Sequence, residues 1–421
     1  MEQPNLAVRV VAHDDPAFPA MMRLWAAAYP VMGATDAETL AREERRYRAR
    51  AQDPDTRVVI AERDGDLAGV MAIYDYTMNL RGRDASVSGL GAVAVSPAHK
   101  RRGVANAMVR WYLHDARERG VALGALYPFR PDFYRKMGFG YGTPSHRFRF
   151  DPATLDARGA RGRARMLGEA DAGAVLACQE RMRVRVNGMF NLSEAWSRRA
   201  LADLSVRYVG IEDAGTIVAW AQLTTELGPP GTANRNALVV RDVVFDDPPA
   251  LASLAAFLRD QRDQYAQIVV ETQDDCAFLL SSDPRDGSDI LVGPPAVHRV
   301  AETGLGIMYR ILDVPRAFAS LSPVDTPFVL RVEVEDTFEP AAGGAWAFRF
   351  GRYTGPQHDD AALPDATLRI GIADLSSLLT GSLDLRPLVR YRLAALEPAA
   401  MLDRVERAFR PDQRPITHRR F

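Results

Sequence analysis

Apolar positions in the first third of the chain alternate between two spacings. Leu6–Ala12 reads as a strand and is followed by helical patterns over Pro16–Ala28 and Ala37–Ala51. Three strand-like runs come next, Thr56–Arg63, Leu67–Asp75 and Ser86–Val95. A helix is predicted over Gly103–Arg119, with Ala105, Met108, Val109 and Tyr112 on one face and Gly120 placed to end it. A strand over Val121–Tyr127 then leads through Pro128 and Pro131 to a short helical piece around Asp132–Met137, and a last strand covers Tyr141–Phe150. Strands joined by crossover helices predict a mixed α/β (α+β) domain.

Around Asp151–Arg165 the chain turns rich in Gly, Ala, Arg and Asp, which suits a linker. Beyond it, the helical pattern Leu167–Arg183, strands at Val206–Glu212, Ile217–Glu226 and Ala237–Phe245, helix Pro248–Gln264 and strand Gln267–Glu271 roughly repeat the first order. This predicts a degenerate internal duplication. A third segment holds strands Gly306–Leu312, Phe328–Val334, Ala345–Phe350 and Thr367–Gly371, helix Ile372–Thr380 and two further helical pieces. The expected domains are therefore 1–150, 151–303 and 304–421.

Composition narrows the class. The chain has 421 residues, 47% hydrophobic and 25% charged, enough apolar material for a core in each domain. No apolar run reaches the roughly 18–20 residues of a membrane span, and Met1–Asn5 lacks a basic, then apolar, secretory leader, so a cytoplasmic protein is expected. A net charge of −1 gives no field that would recruit nucleic acid or an anionic membrane, and neither is an expected partner. Cys178 and Cys276 read as small buried residues rather than a disulfide framework. His13, His114, His146, His298 and His358 show no metal-ligand spacing, so no metal is expected.

Chemistry concentrates in Gly91-Ala92-Val93-Ala94-Val95-Ser96-Pro97-Ala98-His99-Lys100-Arg101-Arg102-Gly103-Val104-Ala105. A strand ends, three consecutive cations and a glycine follow, and a long helix begins. The first helical turn offers unpaired N–H groups and the positive end of the macrodipole, which suits a diphosphate. Lys100, Arg101 and Arg102 add cationic partners, Gly103 admits close approach and Ala105 keeps the next turn small. The alternative is a solvated basic turn that caps a helix. The second segment lacks a counterpart: its strand runs into Asp246-Asp247-Pro248-Pro249, whose carboxylates would repel a diphosphate.

Lys100-x-x-Gly103-x-Ala105 resembles the acyl-CoA signature Gln/Arg-x-x-Gly-x-Gly/Ala of the GNAT acetyltransferases, with Lys as a departure at the first place. Asp132-Phe133-Tyr134-Arg135-Lys136-Met137-Gly138-Phe139 resembles that superfamily's aromatic–Tyr–x–x–x–Gly–Phe segment near the thiol end of the site. Met308-Tyr309-Arg310-Ile311-Leu312-Asp313-Val314-Pro315-Arg316-Ala317 and Asp374-Leu375-Ser376-Ser377-Leu378-Leu379 extend the likeness. The chain thus resembles, over essentially its whole length, the enhanced intracellular survival (Eis) family: two GNAT folds, the second degenerate, then a sterol-carrier-protein-like domain.

That resemblance implies a homohexameric N-acetyltransferase with acetyl-CoA as co-substrate. Position-matched, the pantetheine edge falls on Val93, Ala94 and Val95, and the diphosphate loop on Lys100, Arg101, Arg102, Gly103, Val104, Ala105 and Asn106. A further contact falls on Phe129 and Arg130. The general acid maps onto Tyr134, with Tyr127 as a rival donor, and the terminal carboxylate of Phe421 serves as base. The acceptor is expected to be a small-molecule or peptide amine: an aminoglycoside, a polyamine or a lysine-type group. Arg419 and Arg420, next to that terminus, would oppose a polycation unless they turn away. The other reading is an apolar-ligand carrier, or a non-catalytic assembly module built on a retired acetyltransferase.

Overall fold

The computed structural model describes residues 6–29, 36–232 and 235–418. Among these, a seven-stranded sheet runs in the order Leu6–Val11, Thr56–Arg63, Asp66–Leu80, Arg83–Val95, Leu123–Leu126, Met308–Ile311 and Gly140–Tyr141. It is antiparallel except where Arg83–Val95 lies parallel to Leu123–Leu126. Helices cover both faces. Helix Val104–Glu118 buries Val104, Met108, Val109, Tyr112, Leu113 and Ala116 on one side. Helix Phe18–Ala28 buries Phe18, Met21, Met22 and Trp25 on the other. A sheet covered on both faces needs continuous apolar strands rather than alternation, which is how Val58–Ala61 and Ala68–Ile73 read. Gly69 permits the tight approach of helix Val104–Glu118: a β-carbon there would stand 2.6 Å from Met108 Sδ.

The second sheet runs Ala301–Gly304, Ser145–Phe150, Gln267–Thr272, Ala237–Phe245, Thr216–Glu226, Arg207–Asp213 and Arg163–Leu167. The two sheets exchange strands. The single strand expected over Tyr141–Phe150 is two: Gly140–Tyr141 stays in the first sheet, and Ser145–Phe150 crosses into the second. Gly142 and Pro144 break it; proline has no N–H to give a sheet. In return Met308–Ile311 enters the first sheet, between Leu123–Leu126 and Gly140–Tyr141. Several elements escaped the periodicity, strand Ala301–Gly304 among them, and two show why. Arg163–Leu167 is a charged edge strand, not the end of a linker, and helix Glu194–Ala202, capped by Ser193, has too thin an apolar stripe to stand out.

The third sheet, Gln357–His358, Gly344–Phe350, Phe328–Glu335, Ala366–Gly371 and Ala394–Glu397, packs under helix Ile372–Thr380. Its core is filled with aromatic rings. Phe318 stacks on Phe348 with centroids 3.9 Å apart, Phe328 stacks on Phe350 at 4.6 Å, and Phe409 packs edge-on to Phe318. Among the described residues, no helix is long and apolar enough to cross a membrane.

Candidate active site

Strand Arg83–Val95 pairs with Leu123–Leu126 only from Val87 to Leu90. Its neighbour then turns away through Tyr127 and Pro128, while the strand continues to Val95, so the sheet opens into a V. A register shift against the preceding strand falls opposite Ala92, whose φ is +50°. This bulge bends the strand away. The orientation of the free edge follows from Ser96, whose N–H donates to Ala68 O at 2.9 Å, toward the preceding strand. Alternate residues share an edge, so Ala94 also faces that strand while the Val93 and Val95 backbones face the V. The Val93 carbonyl accepts a hydrogen bond from Tyr29 Oη at 2.7 Å, and the Ala92 carbonyl accepts one from Trp25 Nε1.

At the mouth of the V lies the basic turn. Arg101 and Gly103 both take positive φ, +59° and +79°, before helix Val104–Glu118. The first bond back to the turn is Ala107 N–H to Gly103 O at 3.0 Å, leaving the N–H groups of Val104, Ala105 and Asn106 as the open helix start. A β-carbon on Gly103 would meet open space, so the volume above the turn is clear for a ligand. Arg101, Arg102 and Asn106 are exposed there, Arg63 fixes the turn through Arg102 O at 3.2 Å, and the Val104 side chain is anchored in the core. Geometry and charge both suit a diphosphate.

A cavity of about 430 Å³ connects these parts. It is lined by Val93, Ala94, Val95, Lys100, Ala105, Phe129, Arg130 and Tyr134. It is also lined by Leu24, Ala27, Ala28 and Tyr29 from the end of the first helix, and by Pro97 and Phe133. Arg101, Arg102, Gly103 and Asn106, on either side of Lys100 and Ala105 in the chain, do not line it. Tyr134 projects from the short helix Pro131–Arg135, is 8% exposed, and is held edge-on by Phe133 and Phe139 at 5.3 and 6.0 Å. Burial, with a smaller contribution from nearby Tyr29, pushes its phenol above the ordinary tyrosine value and keeps it a neutral donor. Phe129 is exposed, and Arg130 pairs with Asp132 at 2.6 Å. Tyr127 packs instead against the core that the first lobe shares with the third domain and does not line this cavity.

Phe421, Arg419 and Arg420 lie outside the described residues. The described end runs along the second lobe, where Thr417 N–H donates to Gln273 Oε1 at 2.6 Å and His418 borders a cavity of about 210 Å³ beside Trp196 and Trp220. That lobe retains the bulge, with a register shift at Trp220/Gln222 and Asp242 at φ +51°. Its helix start is closed to a phosphate. Asp247 caps it, accepting Ala250 N–H at 3.0 Å, and Asp246 pairs with Arg181 at 2.8 Å. Cys178 is buried there, its thiol pushed up to about 12 by burial and so inert; Cys276 is exposed, against expectation.

Residues 9–142 and 188–311 each match a model of the acetyltransferase (GNAT) domain, and residues 314–418 match the sterol carrier protein domain. The chain belongs to the GNAT acetyltransferases. This tandem GNAT acyltransferase is 27% identical over 374 residues to a Streptomyces coelicolor protein described as an uncharacterised N-acetyltransferase, covering 82% of this chain and 86% of the relative. A GCN5-related N-acetyltransferase from Kribbella flavida shares the fold, with a TM-score of 0.79 at 20% identity over 99% of both chains. Eis1 from Mycobacterium abscessus aligns with a TM-score of 0.75 at 20% identity, over 99% of this chain and 100% of its own. The Eis likeness read from the sequence is thus met as architecture: tandem GNAT folds and a sterol-carrier domain. The helix-end residues Leu24, Trp25 and Tyr29 join the site although nothing in the sequence marks them for it. Their only sequence signal was the amphipathic stripe of Phe18–Ala28, which marks a core face rather than a pocket.

Proposed function

We propose that the first lobe of this GNAT enzyme transfers acetyl from acetyl-CoA to a primary amine, with Tyr134 as general acid. The supporting observation is the convergence of three features on one cavity of about 430 Å³: the free edge Val93–Val95, the open helix start at Gly103–Asn106, and the buried Tyr134. GNAT domains in general use acetyl-CoA, which when bound supplies the acyl thioester. Val93 and Val95 add one strand-like set of hydrogen bonds along the V, and the basic turn receives the negative end. Tyr134 holds a proton at Oη. An ordinary phenol titrates near ~10 and a thiol near ~8.5, so donation to a thiolate is uphill by roughly 2 kcal/mol. Burial raises the phenol, but it raises a thiolate in the same cavity too, so the gap does not widen in proportion.

In this reading the Phe421 carboxylate acts on the amine. A terminal carboxyl near ~3.5 and an alkylammonium near ~10.4 differ by about 7 pKa units, or ~9 kcal/mol. The carboxylate therefore orients the amine or relays through water rather than stripping a proton outright. The acceptor is a small-molecule or peptide amine, in a cytoplasmic homohexamer. The division of labour proposed is cofactor binding in 1–150, a degenerate lobe in 151–303, and delivery of the terminus by 304–421. The ring-filled core of the third domain supports delivery over apolar-ligand carriage.

The test is CoA release from acetyl-CoA by enzyme with a native C-terminus, across aminoglycosides, polyamines, lysine peptides and acidic amines. Turnover that falls with Tyr134→Phe, and with one residue added after Phe421, supports the reading. Absence of acetyl-CoA binding would sink it and favour the carrier or assembly alternative.

A further inference from the structure

Tyr134 stands on a helix of only five residues, Pro131–Arg135, too short to hold its own angle. What holds it comes largely from the third domain and the inserted strand. The next residue, Arg135, forms an ion pair with Asp374 in the first turn of helix Ile372–Thr380, and its guanidinium lies over Tyr141 at 5.1 Å. Arg135 Nη1 is buried without a further hydrogen bond, so Asp374 is the carboxylate that fixes this guanidinium. Two residues on, the Met137 carbonyl accepts from Nη1 of the fully buried Arg310. Arg310 is in turn pinned by Asp336 at 2.5 Å and Glu339 at 3.2 Å. Gly138 and Gly140 lack the β-carbons that would collide with Arg310 and with the backbone at Ala373. The motif Tyr–x–x–x–Gly thus leaves room for the third domain to reach under the tyrosine.

We propose that Asp374 is a positioning residue for Tyr134, acting through Arg135, and that the third domain thereby sets the angle of the acid. This rests on the assignment of Tyr134 as the acid. The contact is specific in kind: a charge-assisted bond between the nearly buried Asp374 and the half-buried side chain adjoining the tyrosine. Burial also lowers the pKa of Arg310, with Asp336 and Glu339 opposing, so those two carboxylates offset the cost of burying the second strut's charge. Misplacement of a reacting group by about 1 Å costs up to ~100-fold in rate, and a loosened five-residue helix allows part of that.

The test is a double-mutant cycle on the full-length enzyme: Asp374→Asn, Tyr134→Phe and both together, with kcat, KM for acetyl-CoA and melting temperature measured for each. Asp374→Asn alone is expected to lower kcat about tenfold with KM changed less than twofold. In the Tyr134→Phe background the same change is expected to leave kcat where Tyr134→Phe put it, because no proton donor remains to misplace. An equal loss in both backgrounds means a merely structural contact and overturns the inference. So does normal kcat for Asp374→Asn beside an impaired Tyr134→Phe, which leaves the acid assignment standing. Full activity of Tyr134→Phe overturns that assignment, and this inference with it. If Asp374→Asn fails to fold, Arg135→Lys, which keeps the charge but loses the planar fork, runs the same cycle with the same expected outcomes.

Discussion

Two glycines of the site share a left-handed backbone but differ in what surrounds them, and alanine at each separates conformation from packing. Gly103 has φ +79° and Gly138 has φ +81°. Holding alanine there costs about 1–2 kcal/mol at either position. At Gly103 the account ends, since a β-carbon meets nothing within 4 Å. At Gly138 it would fall on Arg310 Nη1, with Cζ at 2.8 Å and Ile372 Cγ2 at 2.9 Å. The guanidinium cannot swing aside, because Asp336, Glu339 and the Met137 carbonyl already hold it with zero exposure. Overpacking adds about 1–3 kcal/mol, and weakening a buried pair adds more, so Gly138→Ala should cost roughly 3–5 kcal/mol in all. At about 2 °C per kcal/mol, melting should fall by roughly 6–10 °C for Gly138→Ala and by about 2–4 °C for Gly103→Ala. Thermal unfolding followed by fluorescence reads both. Acetyl-CoA binding should order the pair the other way, since only Gly103 sits where the diphosphate is proposed. Equal melting shifts for the two variants would refute the packing argument.

Other outcomes follow from the same geometry. Arg102→Glu, an exposed change at the open helix start, should weaken acetyl-CoA binding at least tenfold with unaltered melting; calorimetric titration checks it. Tyr29→Phe removes the hydroxyl that occupies the Val93 carbonyl, and should tighten acetyl-CoA by about fivefold, the worth of one net hydrogen bond near 1 kcal/mol. Looser binding would mean that Tyr29 shapes the pocket rather than competing for it. Tyr112, Tyr134 and Tyr309 are all raised by burial, so above pH ~10 the unfolded chain loses phenolic protons that the folded chain keeps. Stability should therefore hold below pH ~10 and fall as pH rises beyond it, and melting that stays flat to pH 11 would contradict the burial of these phenols.

Much of the first lobe was legible because local signals and tertiary needs agree there. The stripe Met108, Val109, Tyr112 is the face that helix Val104–Glu118 buries, and the basic turn before it lies at the mouth of the cavity. What periodicity could not carry was partnership between distant segments. Nothing local to Met308–Ile311 says that it joins the sheet of residues 6–141, and nothing in Ser145–Phe150 says that it leaves that sheet. Both runs read correctly as strands, since a strand's apolar pattern records how far it is buried and not beside whom. The charged edge Arg163–Leu167 was missed for the converse reason: with one side unpaired and little buried, it has almost no apolar pattern to read.

The second lobe separates geometry from chemistry most sharply. It keeps the displaced register at Trp220/Gln222 and the left-handed residue Asp242, the counterparts of the shift at Val70/Ala72 and of Ala92. A bulge of this kind is held by pairing on both sides of it and persists while the sheet does. The diphosphate site depends instead on a few exposed donors, and here they are gone: Pro248 and Pro249 carry no N–H, and a side chain has taken the next one. The Asp247 carboxylate occupies the Ala250 N–H and is itself paired with Arg161 at 2.6 Å. An anion arriving at this helix start would have to displace a bound carboxylate and meet Asp246 beside it, whereas at Gly103 it meets open N–H groups and three cations. One fold present twice therefore yields one proposed cofactor site, and the difference lies in which residues build the first turn of the helix and its cap.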